Sequence, residues 1–436
     1  MKSSDTTPET SQENPLGYEK ESKLLVGFAI PCIISMLVTA LYNIVDQIFI
    51  GQGIGMLGNA ATNIAFPLST TCTAISLLLG IGCATNFSLH LGAGEKDESA
   101  RYAGNGIFLM AVFGIALFLL TSIFLTPMLK FFGATTEVLP YAKAYTRITA
   151  IGFPFLIANT GMSKLILADG SPRYSMISML IGAVVNTILD PVFIFVLNMG
   201  MTGAALATII GQIISFCISL RYMFHFKTIR LTKDSFHVTG KHCRNIFMLG
   251  ASACFNQIAM TVVQIVMNNT LAHYGAQSVY GGDIPLACSG IITKVNMIFM
   301  SFVIGISQGT QPVIGFNYGA KKYRRVSNTY LLALSAASVL SVIAFICFQV
   351  FPRQIIRHRY PRRCQLPSRQ FRQGGAQSAE SLSVRFPPAT DAPDHGWRDR
   401  RAEYRRHAAT YCAGISRAVA ARPLSARSTA IRNPLP

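Results

Sequence analysis

From Gln47 to Gly94 the chain carries no Asp, Glu, Lys or Arg. A helix needs roughly 20 apolar residues to cross a hydrocarbon core of about 30 Å, so a stretch this long holds two crossings rather than one. Gly51, Gly53 and Gly55 sit near its start and end the first helix there. The rest of the chain agrees: 51% of its 436 residues are apolar and only 13% are charged, against about 25% charged in a soluble domain. β-Barrel strands are excluded, because they are about half as long as these runs and alternate in polarity. The fold class is therefore all-α and polytopic in a membrane.

The charges divide the chain into spans. Leu24 to Ile50 contains one charged residue, Asp46, and forms span one; span two runs from about Leu57 to Leu91. Tyr102 to Leu129 is the third, and Val138 to about Ile166 the fourth, with Lys143 and Arg147 near its start. Tyr174 to Leu220 carries Asp190 alone and splits at Asn198 to Gly203 into spans five and six. Ile246 to Tyr274, Pro285 to Tyr318 with Lys294 inside it, and Val326 to Phe351 complete nine. The first run is too long for the apolar region of a cleavable signal, and no small-residue cleavage site follows it. The domain boundaries that follow are an amino-terminal segment 1–23, a first lobe 24–226, an inter-lobe loop 227–243, a partial second lobe 244–352 and a tail 353–436.

The loops give the orientation. Lys96 and Arg101 follow span two, Arg173 span four, Lys227, Arg230, Lys233, Lys241 and Arg244 span six, and Lys321, Lys322, Arg324 and Arg325 span eight, whereas the alternate loops hold only Lys130. The positive-inside bias then places the amino terminus and the even-to-odd loops in the cytoplasm. The ten cysteines are scattered singly, without a C-x-x-C pair and mostly inside apolar runs, and read as small packing residues.

An internal repeat is visible in the small residues. Gly82, Gly92 and Ala93 at the end of span two fall on Gly309, Gly319 and Ala320 at the end of span eight with one common shift. Each set closes a long glycine-interrupted helix before a short basic loop, so the period is six helices. Repeats of this kind are the architecture of secondary transporters, whose sites lie between the halves. Small residues also recur in membrane helices for packing alone.

Several segments together carry a family resemblance: Leu41-Tyr-Asn-Ile-Val-Asp46-Gln-Ile-Phe-Ile-Gly51, Tyr145-Thr-Arg147-Ile, Asn186-Thr-Ile-Leu-Asp190-Pro191, Gly203-Ala-Ala-Leu-Ala-Thr208, Gly305-Ile-Ser-Gln308-Gly-Thr-Gln311-Pro312 and Gly315-Phe-Asn317-Tyr-Gly-Ala. From about Leu24 to Ile356 the chain resembles a multidrug and toxic compound extrusion (MATE) transporter of the bacterial multidrug-export branch. The resemblance implies an inverted, V-shaped fold of two six-helix lobes, here with an incomplete second lobe. It also implies export of small organic cations in exchange for protons or sodium, with no other cofactor. The family's cation site in the first lobe matches here at Asp46, Tyr145, Asn186, Asp190 and Thr208.

The residues themselves point to the same lobe. A carboxylate deep in a membrane costs a few kcal/mol unless it is paired, solvated or protonated, so such residues are usually functional. Asp46 and Asp190 qualify, and Asn186 lies four residues before Asp190 on the same helical face. Pro191 lacks an N–H and loosens the turn beside the acid. Burial disfavours the charged carboxylate and a nearby cation restores it, so such an acid can trade a proton for a cation. The competing role is a hydrogen-bonded carboxylate that pins helices together. Further cavity candidates are Gln257 and Gln264, seven residues apart on span seven, with Gln308, Gln311 and Lys294. The glutamines line the cleft or bond between helices, and Lys294 reaches the cavity or snorkels to water.

The tail departs from all of this. Residues 353–436 hold seventeen Arg, no Lys and five acids, no apolar window of spanning length follows Phe351, and the chain's one Trp, Trp397, appears there. An out-of-frame translation beginning near Arg357 accounts for the change of composition and for the missing spans ten to twelve; a basic tail on anionic lipid through Arg400, Arg401, Arg405 and Arg406 is the alternative. Nucleic-acid binding rests on the tail alone and is not expected. No phosphate loop, nucleophile elbow or metal-ligand cluster is present in the sequence, so no enzyme is expected, and no obligate protein partner is implied. The runner-up function is a lipid-linked oligosaccharide flippase of the same superfamily. It needs a basic cavity, and Lys294 is the one midmembrane base read from the spans.

Overall fold

The computed structural model describes residues 14–134, 136–276 and 283–350, all within one compact unit, Met1–His358. The expectations for residues 1–13 and for the Arg-rich stretch 353–436 lie outside the described residues. Ten helices of seven residues or more are formed among them: α1 (Glu21–Gly53), α2 (Met56–Gly92), α3 (Lys96–Ile123), α4 (Leu125–Phe131), α5 (Leu139–Ala168), α6 (Pro172–Pro191), α7 (Gly200–Met223), α8 (Gly240–Ala276), α9 (Asp283–Gly319) and α10 (Tyr323–Val350). Nine are long and apolar enough to span a membrane. The exception is α4. The third uncharged run breaks at Phe124, and Pro127 sits in the first turn of the short helix that follows, where its missing N–H costs nothing.

The helix ends follow local chemistry. Asp97 and Glu98 occupy the first turn of α3, where carboxylates complement the helix dipole. Gly55, at φ +87°, turns the chain from α1 into α2. Asp169 follows the last residue of α5 and is buried. It accepts hydrogen bonds from the Tyr222 hydroxyl (2.7 Å), the Lys227 and Thr228 amides (2.7 and 3.1 Å) and the Thr228 hydroxyl, tying α5 to the end of α7. Burial raises its carboxyl above the ordinary carboxylate range, and these hydrogen bonds partly offset that rise.

Helices α1–α7 close into a lobe around α5. In lipid, apolar surface gains little from leaving its surroundings, so close packing and polar contacts hold such helices together. Gly80 lets α2 approach α5 so closely that a methyl group there would stand 2.8 Å from the Gly161 Cα. Ser178 and Ser215 exchange hydroxyl-to-carbonyl bonds of 2.9 Å between α6 and α7, and Ser219 donates to Asn159 Oδ1 at 2.8 Å. Leu79, Phe87, Tyr102, Met110, Ile157, Met162 and Leu165 fill the space between with almost no exposure.

The second half reaches the first through a seam with its own symmetry. Side chains at Gly92 and Gly319 would overlap the backbone of Phe316 and Leu89 respectively, and one shift carries Leu89 onto Phe316 and Gly92 onto Gly319. The helices α2 and α9 therefore cross in a reciprocal contact, through the same shift that relates Gly82, Gly92 and Ala93 to Gly309, Gly319 and Ala320. A different shift relates α1 to α8: Gly309 packs on Ala29 and Gly305 on Ile33, while Gly82 packs on Ile246 and Gly250 on Leu78.

Beside the seam, at the end carrying the basic loops, stand two clasps. In one, His242 of α8 meets Glu98 of α3 at 2.8 Å, and the Tyr102 ring lies between His90 and His242, with centroids at 5.0 and 4.6 Å. In the other, Asn317 and Lys322 donate to the carbonyls of Leu16 and Gly17 at 2.9 Å each, and Arg325 to that of Glu19. The shift that relates α2 to α9 also carries Glu98 onto Arg325.

Candidate functional site

The sequence-predicted acids lie on helices that meet. Pro191 ends the regular part of α6, and the next five residues, Val192–Val196, form a π-helical turn, a distortion frequent at functional sites. That turn packs on the end of α1. Phe195 meets Phe49 edge-on with ring centroids 6.2 Å apart, and a methyl group at Gly53 would stand 3.1 Å from the Phe195 ring. This contact holds α6 against α1, with α7 and α5 closing the other sides.

Inside, Asp190 is fully buried and Asn186 nearly so. The Asn186 amide donates to Asp190 Oδ1 and to Thr208 Oγ1, both long at 3.4 Å, and the Thr208 hydroxyl donates to the Ala204 carbonyl at 3.0 Å. Asp46 is half-buried, and its carboxyl neighbours that of Asp190. Tyr145 neighbours Thr208 and both acids. All five residues read from the sequence as the cation site are thus brought together. Ile50, Leu129, Val138, Ile194 and Met201 pack beside them and supply the apolar surroundings.

Three buried oxygens here accept no hydrogen bond: Asp46 Oδ1, Asn186 Oδ1 and Asp190 Oδ2. Two carboxylates cannot donate to one another, so a proton or a cation between them would satisfy oxygens that no protein donor reaches. The donor set is all oxygen and fits a proton or a small hard cation; no cluster of three or more His, Cys, Asp or Glu occurs among the described residues.

Two residues escaped the sequence reading, one beside the acids and one at the seam. Tyr42 stands one turn before Asp46 on α1 and borders both acids; its spacing of four from Asp46 was the available signal. Lys164 is the larger omission. It is 7% exposed on α5 and donates to Gln308 Oε1 at 2.7 Å across the seam. Lys294 is therefore not the sole base within the spans. Its own side chain lies outside the described residues, although its position falls in α9.

The cavity candidates scatter. Gln308 is held by Lys164, and Gln311 donates to Thr85 Oγ1 at 3.4 Å, so both serve the seam. Gln257 and Gln264 are half-buried on one face of α8, which packs chiefly on α2 and α9.

This architecture has known counterparts. A family described as MatE matches residues 31–192 and 252–358. The multidrug export protein MepA of Staphylococcus haemolyticus (strain JCSC1435) is 28% identical over 336 residues, which is 76% of this chain and 73% of that protein. MepA of Staphylococcus aureus (strain MSSA476) is 26% identical over 329 residues, 74% of this chain and 70% of that protein. Among solved structures, an outward-facing multidrug resistance MATE family transporter of the MOP superfamily superposes with a TM-score of 0.74 at 23% identity, covering 85% of this chain and 80% of that one. A MOP superfamily transporter from Pyrococcus furiosus, described as having a binding pocket of reverse polarity, superposes with a TM-score of 0.73 at 23% identity, covering 80% and 76%. Two half-repeats meeting at a glycine seam, with the acids gathered in the first, thus coincide with a family match across both halves: the chain belongs to the MatE family of membrane transporters.

Proposed function

We propose that the chain is a secondary exporter of small organic cations, driven by a proton or sodium ion held at Asp46 and Asp190. The observation that carries this reading is the neighbouring carboxyls of Asp46 and Asp190, each with a buried oxygen that lacks a donor, beside the Asn186 amide oxygen, which also lacks one. Such a pair holds about one positive charge at a time. An organic cation entering the cleft competes with the ion for the same negative charge, and release of one accompanies binding of the other. Asn186 and Thr208 hold Asp190 in place, Tyr145 and Tyr42 border the acids, and the π-helical turn frees backbone acceptors beside them.

The loop charges support a cytoplasmic amino terminus, and the staphylococcal relatives support a bacterial plasma membrane. Transport by this chain alone is expected to be impaired. Alternating access needs two rocking bundles, and no apolar window of spanning length follows Phe351. Each Arg of the tail would cost roughly 2.5–3.5 kcal/mol at the centre of a span. The test is dye efflux from cells carrying this chain and a version completed to twelve spans. Efflux is expected from the completed version and not from this chain, and Asp190→Asn in the completed version is expected to remove it. Efflux by the completed Asp190→Asn variant at the parental rate would remove the ion-carrier role.

The flippase reading has one observation in its favour, the buried Lys164. Its ammonium stands at the seam on Gln308, whereas the first lobe gathers two acids with oxygens that lack donors, and that favours the exporter. Extraction of lipid-linked oligosaccharide by the completed version, in the absence of cation efflux, would reverse the choice.

A further inference from the structure

At the end of the molecule that carries the basic loops, a cavity of about 690 Å³ opens between the start of α1 and the start of α6. Its walls are of two kinds. Leu24, Phe28 and Tyr174 make an apolar floor, continued outward by Val26 and Ile177, which are 54% and 45% exposed. The trough between the two helices is kept open at Gly27, where an added Cβ would meet nothing within 4 Å.

The rim is basic, with Lys23, Arg173 and Lys227 around the mouth. Glu19 also lies there and is taken by Lys23 at 3.0 Å. Arg173 and Lys227 form no ion pair with any described acid. Asp169, whose carboxylate meets the Lys227 amide, is consumed by Tyr222 and Thr228.

An organic cation is repelled by such a rim. A free anion would meet the bases and leave the apolar trough without a partner. An amphiphile with an anionic head and an acyl chain satisfies both parts at once. We propose that this cleft binds one anionic phospholipid of the leaflet that meets the basic loops, its phosphate at Arg173 and Lys227 and its upper acyl chain along Gly27, Val26 and Ile177. Arg173 supplies a fork that matches two phosphate oxygens, and Lys227 a point charge. The site is separate from Asp46 and Asp190 and stands whether or not those acids couple transport.

The experiment uses the purified chain, delipidated in neutral detergent and titrated with phosphatidylglycerol, with phosphatidylcholine or with inorganic phosphate. Bound lipid is counted by native mass spectrometry and unfolding is followed by heating. One retained phosphatidylglycerol and a higher unfolding midpoint than with phosphatidylcholine are expected. The double variant Arg173→Gln/Lys227→Gln is expected to weaken phosphatidylglycerol binding at least tenfold. Gly27→Leu keeps the charges but fills the trough, and is expected to weaken it comparably. Lys233→Gln, in the same set of basic loops but outside the cavity, and Asp190→Asn are expected to leave it unchanged. The proposal is overturned if phosphatidylcholine binds as well, if inorganic phosphate protects equally and so marks a free-anion site, or if the double variant retains full binding.

Discussion

Helices α5 and α10 are similar in length, 30 and 28 residues, and both are apolar enough to span a membrane. Yet 61% of the apolar centre of α5 is buried and 0% of that of α10. The difference shows how each half is held. The first lobe encloses its polar groups, so Asn159, Ser178, Ser215 and Ser219 satisfy one another inside it. The second half holds to the first mainly through the seam and leaves Leu334, Val342, Ile343 and Phe345 facing outward. The chemistry is as unequal as the packing. The register that carries Ala29 onto Ile246 and Ile33 onto Gly250 carries Asp46 onto Val263, which is 62% exposed, and Tyr42 onto Ala259. Asp46 therefore has no acidic counterpart on α8.

The most severe break in that asymmetry is Asp190→Asn in the completed version. It is expected to lower ion-coupled export at least about tenfold while folded yield is kept, because the amide replaces the carboxyl without change of volume. Val263→Asn, at the place in the second half that corresponds to Asp46, is expected to leave export within about twofold. An equal loss from both substitutions would return a coupling site to the second half.

The seam comes next. Gly92→Leu and Gly319→Leu each push a side chain into the backbone of the facing helix and are expected to cost about 1–3 kcal/mol apiece in unfolding experiments in detergent. If one is damaging and the other neutral, the reciprocal crossing of α2 and α9 is wrong.

Asp169→Asn tests the closure of the first lobe. The amide sets a donor against the Tyr222, Lys227 and Thr228 donors, at a cost of about 1–3 kcal/mol near neutral pH. The sign of the pH effect follows from the raised carboxyl of Asp169. The folded protein holds that proton more tightly than the unfolded chain. This group's contribution is therefore greatest at acid pH, falls as pH rises from the ordinary carboxylate value to the raised one, and is flat above it. Unfolding curves measured across that window are expected to lose this slope in the variant; an unchanged slope would assign it to other carboxyls.

The smallest effect is expected on α10. Ile343→Thr faces outward and should shift stability by less than about 0.5 kcal/mol. A cost above about 2 kcal/mol would mean that this face is packed and that the two halves are less different than they look.

Much of this was legible in the chain because charge is so scarce in it. Two Asp inside long apolar runs mark themselves, and Asn186 and Tyr145 follow by helical spacing and by motif. The six-helix repeat relating α2 to α9 was visible in Gly82, Gly92 and Ala93, which recur as Gly309, Gly319 and Ala320. The matching of α1 with α8 was not. It uses a different shift, and one partner at each contact is Ala29, Ile33, Leu78 or Ile246, which any membrane helix carries. Lys164 stayed hidden for a related reason. It lies one turn from the end of its run, where a lysine ordinarily snorkels to water, and its burial comes from distant helices, α2 at Gly80 and α9 at Gln308. The break at Phe124 was lost inside an unbroken apolar run whose single clue was Pro127.

The central claim, one exchangeable positive charge shared by Asp46 and Asp190, is tested most directly by infrared difference spectroscopy of the chain itself. Spectra of the purified protein are recorded near neutral pH before and after addition of an organic cation or of sodium. A protonated-carboxyl C=O band is expected at the outset, lost when the cation binds, and changed in both Asp46→Asn and Asp190→Asn. The same band, with the same response, in both variants would place the exchangeable proton elsewhere and contradict the reading.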